Sequence, residues 1–212
     1  MSSDRATGHA MIDHLIVGCH DLDSGIAAIE ASTGIRASLG GAHPGKGTRN
    51  AVLSLGAGQY LEIIAPDPAQ STLTWFTAIR GMREPQLIAW AAPALHIDAV
   101  AVGFRDARIP CTGPTRGSRA RPDGTLLEWR TLVLDDDAGG LLPFFIEWST
   151  DSVHPSVDAP AGCALSRFDA VSPDADQLTH RAHAVGVDLP IERADHPRLR
   201  ASIAGPRGSI TL

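Results

Sequence analysis

The sequence predicts an α+β fold, with helices carrying one apolar stripe on one side of mostly antiparallel sheets. Three observations lead there. A β-rich segment that runs straight into an amphipathic helix occurs three times, three further strand-like segments follow each occurrence, and short Gly-rich turns separate them. Asp23, Asp98 and Asp174 hold matching places at the three helix starts, spaced 75 and 76 residues apart.

In the first unit, residues 12–17 (IDHLIV) form the strand and Gly18 bounds it. The helix opens at Asp21-Leu22-Asp23 with Leu22, Ile26 and Ile29 on one face; Asp21 or Asp23 suits the N-cap and Gly34 the left-handed stop. Strands follow at 36–39, 48–55 and 59–65. The second unit has a strand at 87–92, a helix at 97–107 with Ile97, Val100, Ala101 and Phe104 aligned, and strands near 109–112, 126–134 and 143–149. The third has a strand at 164–171. Ser172 then caps a helix with Pro173 at its first position, Leu178, Ala182 and Val185 on one face, and Gly186 as stop; strands follow at 187–192, 199–204 and 209–212. Pro-bounded residues 66–85 hold a short helix around 75–80, and residues 150–162, rich in Pro, Ser and Asp, read as a linker. The chain therefore divides into residues 11–149, made of two βαβββ modules (11–66 and 86–149), and a third βαβββ-like unit at 163–212.

Composition narrows the function. The 212 residues are 43% hydrophobic and 20% charged, which is an ordinary globular balance, with a net charge of −6 and Lys46 as the only lysine. An acidic chain without a basic stripe argues against nucleic acid as a partner. No apolar run approaches the length of a membrane span, and residues 1–10 lack the apolar stretch of a signal peptide. Cys19, Cys111 and Cys163 are odd in number and far apart, so neither a disulfide framework nor a metal knuckle is legible, and a cytoplasmic setting is expected.

Period-two alternation assigns side chains to faces. His14 shares a face with Ile12 and Ile16; Tyr60 and Glu62 share one with Ile64; Glu147 shares one with Phe145. His14, Glu62 and Glu147 each stand mid-strand among apolar neighbours, where a carboxylate is costly unless it is paired, hydrogen-bonded or metal-bound. The glycine-rich stretch from Gly40 to Thr48 resembles a phosphate-cradling GxxxxGK[ST] loop only in part. Its eighth position is Gly47 and a strand follows it, so the helix N-terminus that would receive a phosphate is missing. Trp90 reads as core or as a pocket wall. His9, His20, His154, His180, His183 and His196 fall in turns, termini or helix surfaces, where solvation is expected, and Asp135-Asp136-Asp137 reads as a turn. No GxSxG elbow or recognisable cysteine nucleophile is present.

The strand with His14, the acidic helix start, the Tyr60-Leu61-Glu62-Ile63-Ile64 strand and the Phe145-Ile146-Glu147-Trp148 strand together resemble the vicinal oxygen chelate superfamily, in particular its glyoxalase-like branch. Residues 40–50 resemble that branch's loop before the third strand. The resemblance implies paired modules forming a cupped sheet, and a divalent ion (Mn, Fe, Ni or Zn) held by a first-strand His and a last-strand Glu of each module. Here it implies His14, Glu62 and Glu147 as metal ligands. The fourth position falls on Ala89, which cannot bind, and His43 in the loop is a candidate substitute. Glu147, if displaced from the metal, would be the base. His43, Thr48, Arg49, Asn50, Tyr60 and Trp90 would contact a small-molecule ligand. Two functions follow: metal-assisted lyase, isomerase or dioxygenase chemistry on an oxygen-bearing substrate, or metal-free binding and sequestration of a small molecule in the same cup. The odd third unit could cap the cup or pair with its counterpart in a homodimer.

Overall fold

The structure, a computed structural model, describes residues 12–212. Expectations for residues 1–11, which include His9, the leaderless N-terminus and the first module's start at Met11, lie outside it. The chain order is β1 (His14–Gly18), α1 (Leu22–Thr33), β2 (Ser38–His43), β3 (Thr48–Gly56), β4 (Gln59–Pro66), a short 3-10 turn (Thr77–Gly81), β5 (Gln86–Pro93), α2 (Ile97–Asp106), β6 (Cys111–Ala120), β7 (Leu126–Leu134), β8 (Phe144–Trp148), α3 (Pro155–Asp158), β9 (Ala164–Ser172), α4 (Ala175–Ala184), β10 (Ile191–Arg193), β11 (Arg198–Ala204) and β12 (Ser209–Thr211).

Local chemistry explains the element ends. Asp21 caps α1 by accepting from the Ser24 backbone N–H at 2.8 Å, and Gly34 closes it at φ 83°. The apolar stripe Leu22, Ile26, Ile29 is buried, and Gly25 lets α1 approach Ile63 and Cys19 closely. On α2 the buried stripe is Ile97, Ala101 and Phe104, with Phe104 edge-on to Phe145 at 5.2 Å.

The first eight strands form one curled sheet in the order β2-β3-β4-β1-β5-β8-β7-β6. Each module closes by a parallel pairing of its first and last strands (β1 with β4, β5 with β8), and the modules join where β1 runs antiparallel to β5. Leu15 opposite Trp90 marks the pseudo-twofold axis of that join. The curl brings the free edges β2 and β6 together: Arg119 on β6 donates to the Gly40 carbonyl on β2, and a Cβ on Gly41 would collide with the Ala120 carbonyl. The concave face is a cup. The convex face carries α1, α2 and the main core.

The third unit keeps the β-α-β-β-β element order, but its strand order is β10-β9-β11-β12, with the first strand inside the sheet rather than at its edge. It covers the convex face, not the cup. Phe168 on β9 meets Trp90 edge-on at 5.2 Å, and Leu199, Ala201 and Ile203 join the same core as Leu15 and Val17. Its apolar face is thus buried within its own chain, which removes the reason for expecting a partner subunit to cover it. Trp90 is fully buried at the axis, with its indole N–H donating to the Leu141 carbonyl at 3.0 Å. Replacing it leaves a large void: Trp90→Ala is expected to lower unfolding free energy by roughly 3–5 kcal/mol, measured by equilibrium urea denaturation. A loss below about 1 kcal/mol would contradict this packing.

Candidate functional site

Alternation along six strands aims a polar cluster into the cup. His14 and Ile16 come from β1, Tyr60, Glu62 and Ile64 from β4, Thr48 and Asn50 from β3, Phe144, Ile146 and Trp148 from β8, Trp129 and Thr131 from β7, and Arg119 from β6. Trp75, from the segment ahead of the 3-10 turn, overlies His43 edge-on at 5.7 Å. The cavity these side chains leave is about 30 Å³, room for a water-sized group.

His14 is the centre. Its Nδ1 lies 2.7 Å from Asp13 Oδ1 and its ring stacks on Tyr60 at 4.5 Å. Asp13, 4% exposed, also accepts from the Trp148 indole at 3.1 Å and from His154 Nε2 at 3.2 Å. Burial works to raise the Asp13 carboxyl, but hydrogen bonds from His14 and His154, reinforced by their charge, outweigh it and hold it at about 2. An ionised carboxylate only accepts, so Nδ1 of His14 carries the proton and Nε2 faces the cup. From the neighbouring strand β4, Glu62 Oε2 comes within 3.6 Å of Nε2. The other Glu62 oxygen accepts from Asn50 Nδ2 at 2.6 Å and lies 3.5 Å from His43 Nε2. His43 is turned by Thr48, whose hydroxyl lies 2.9 Å from Nδ1. Burial lowers its pKa despite the opposing pull of Glu62, so its ring is neutral at pH 7. Tyr60 is raised well above 10, first by burial and then by Glu62 and Asp13, so its phenol keeps its proton.

Three residues expected at the site stand elsewhere. Glu147 alternates with the cup-facing Ile146 and Trp148 and so lies on the convex side. There it accepts from the Ile97 backbone N–H at 3.2 Å and pairs with Arg130, which also grips Asp98. The N-cap of α2, His96, makes no side-chain cap, and Glu147 supplies the missing acceptor to the helix start. Arg49 alternates away from Asn50 and shares the convex side with Ala51 and Leu53, and Trp90 is core. His43, Thr48, Asn50 and Tyr60 do come together with His14 and Glu62.

Sequence reasoning missed Asp13, Arg119, Trp75, Trp129, Trp148 and His154. β6 was expected near 109–112 but runs to Ala120 through Thr-Gly-Pro-Thr-Arg-Gly-Ser-Arg, a stretch without β-branched apolar residues to mark it. β2 extends to His43, so the expected rim loop is mostly strand plus a turn. Residues 150–162 are no bare linker: His154 reaches Asp13, and Ser156 and Pro160 carbonyls accept from Ser54. The adjacent Asp13-His14 pair was the one signal available for the dyad.

The metal that the fold implies does not fit these residues. The pseudo-twofold carries His14 onto Ala89 and Ile16 onto Ala91. Since Ile16 pairs with Glu62 and Ala91 with Phe144, the partner of Glu62 is Phe144. The second module thus offers no ligand at either position related to His14 and Glu62. Asn50's amide N already occupies the gap between His43 Nε2 (3.5 Å) and Glu62, and no group of three or more His, Cys, Asp or Glu among the described residues is arranged to hold an ion.

The matching architecture has counterparts. The chain belongs to the glyoxalase-like domain family, which matches residues 12–186. A hypothetical protein from Staphylococcus aureus is 18% identical, covers 94% of this chain and 83% of its own, and superposes with a TM-score of 0.66, a likeness of fold. Methylmalonyl-CoA epimerases from Mycobacterium tuberculosis (22% identity, 65% of this chain and 87% of that chain, TM-score 0.48) and Streptomyces coelicolor (22%, 66% and 97%, TM-score 0.47) are more distant in shape. None of the curated proteins matches this chain. No helix of the described residues is long and apolar enough to cross a membrane.

Two expectations follow. The depressed Asp13 carboxyl contributes stability that is fully present above its unfolded value of 3.8 and lost as pH falls toward about 2. Asp13→Asn should therefore lack about 2 kcal/mol of the wild-type decline between pH 4 and 2, read from urea midpoints at each pH; identical slopes would refute the assignment. Glu147→Ala should cost about 1 kcal/mol of stability through the lost helix cap, while quenching of the cup tryptophans by a bound small molecule stays unchanged. Lost binding with unaltered stability would return Glu147 to the cup.

Proposed function

We propose that this protein binds a small oxygen-bearing organic molecule in the cup and moves a proton on it by metal-free acid–base chemistry. One observation carries the reading: Asp13 orients His14 so that its free Nε2 faces the Glu62 carboxylate across 3.6 Å inside a water-sized hollow. Glu62 Oε2 is an acceptor, and so is Nε2 whenever the imidazole is neutral. They tolerate each other only when a proton lies on one of them or a donor from the ligand bridges both. The unprotonated pair can take one proton from a carbon next to a carbonyl, hold it between the two atoms and return it to a neighbouring atom. Tyr60, protonated and stacked on His14, faces the same hollow and can donate to a carbonyl oxygen.

A second reading, sequestration without turnover, is favoured by the lining. Trp75, Trp129, Trp148 and Phe144 wall the cup, and such rings grip a flat apolar ligand with no chemistry at all. A hollow of about 30 Å³ is smaller than either ligand, so its walls must part for one to enter.

The discriminating experiment follows deuterium entering next to the carbonyl of hydroxyacetone and pyruvate in D2O by proton NMR, with protein stripped of divalent ions and then supplied with Mn, Ni or Zn. Exchange in the stripped protein, falling about 100-fold or more in His14→Ala and Glu62→Gln, is the expected result. Exchange that requires an added ion would overturn the metal-free reading. Tryptophan quenching without exchange would leave sequestration.

A further inference from the structure

At the cup, a buried guanidinium makes a single hydrogen bond, and a buried amide oxygen beside it makes none. Arg119 is 4% exposed, and its one hydrogen bond among the described residues is to the Gly40 carbonyl; none of the ion pairs includes it. Glu62 attracts it, yet the two do not come within 4 Å. A guanidinium has five N–H donors in a planar fork, and a buried charge with most donors unused is costly. The second group is Asn50. Its amide N is committed to Glu62 at 2.6 Å, which fixes the orientation of the amide, so Oδ1 is turned the other way, toward Gly40 and the Arg119 side chain. That oxygen is buried and has no partner.

Arg119 also stands between two spaces. On one side is the small hollow with His14 and Glu62. On the other is a cleft of about 220 Å³ at the seam of β2 and β6, where Leu39, Val52, Pro155 and Ala159 form an apolar part and Asp123 and Asp158 stand beside Arg121. Arg121 is already paired with Asp158 and bonded to the Val153 carbonyl, so it offers little to an anion. Arg119 is therefore the cation left to a ligand, and the apolar part of the cleft and the tryptophan walls are what the ligand's body would touch.

We infer that the ligand of this cup is a carboxylate carrying a neighbouring hydroxyl, with the carboxylate on the Arg119 fork and the hydroxyl donating to Asn50 Oδ1. The inference rests on the reading of the cup as a small-molecule site and names the chemical class it takes. A planar fork matches a carboxylate with two parallel hydrogen bonds. An orphaned amide oxygen selects a donor and rejects a ligand that lacks one, because the oxygen then stays unpaired. The fork disfavours a cation and gives a neutral amide no charge to pair with, while the orphaned oxygen disfavours an acid that carries no donor.

The test uses the full chain and three matched probes: mandelate, phenylacetate, which lacks the hydroxyl, and mandelamide, which lacks the charge. Binding is read by tryptophan quenching and calorimetry, with hydroxyacetone as a neutral reference. Mandelate should bind best, phenylacetate and mandelamide each about tenfold or more weaker. Arg119→Gln should erase the preference for mandelate over mandelamide, and Arg119→Lys, which keeps the charge without the fork, should keep part of it; circular dichroism and melting confirm that both variants are folded. Mandelamide binding as tightly as mandelate, a preference undisturbed in Arg119→Gln, or hydroxyacetone binding while both acids fail would overturn the inference and leave the small-molecule site standing. Failure of all four compounds to bind would remove the site reading and this inference together.

Discussion

The antiparallel pairing of β1 with β5 at Leu15 and Trp90 sets everything else in place. Each residue of the two strands is committed to one face, and the faces have opposite duties. Leu15, Val17 and Trp90 go to the convex side, where α1, α2 and the third sheet bury them. His14, Ile16 and Ala89 go to the cup. A slip of one residue would exchange the two sets, burying an imidazole among helices and emptying the core. The same pairing generates the pseudo-twofold relation, and with it the asymmetry of the site. One module presents His14 and Glu62, while the other presents Ala89 and Phe144 at the related positions.

That asymmetry changes the chemistry the cup supports. With donors on one side only, the space opposite is filled by aromatic walls, and the polar half is organised around Asp13. This carboxylate gathers an imidazole, an indole and a second imidazole, from β1, β8 and the 150–162 segment. Three donors offset the cost of burying its charge, and they do so only if all three chain segments are in place. The dyad is thus also a fastener for the segment that leads to the third unit. On the convex side Glu147 has a parallel task, joining β8 to the start of α2 and to Arg130 on β7.

Much of the fold was legible because it depends on local periodicities. Asp21 and Gly34 mark α1, the apolar stripes mark α2 and α4, and the alternation of residues 126–134 marks β7 at its observed bounds. Half of the site was legible for the same reason: His14 and Glu62 are polar interruptions in otherwise apolar strands. The rest was not. Glu147 interrupts its strand just as Glu62 does, and alternation alone cannot say which face is the inner one. Arg119 sits in a Gly- and Pro-rich stretch with no strand signature, and it reaches the cup only because the sheet curls until its two edges meet. His154 lies 141 residues from Asp13.

By itself, then, the sequence determined the elements, the pairing of helices with strands, and the polar residues that need an explanation, because these follow from propensity and from the 2.0 and 3.6 periods of the backbone. Only the tertiary structure decided which acid lies beside the imidazole, which residue took its place in the second module, and where the third unit packs. Those outcomes depend on strand register and sheet curvature, which arise from contacts between residues far apart in the chain and leave no local trace.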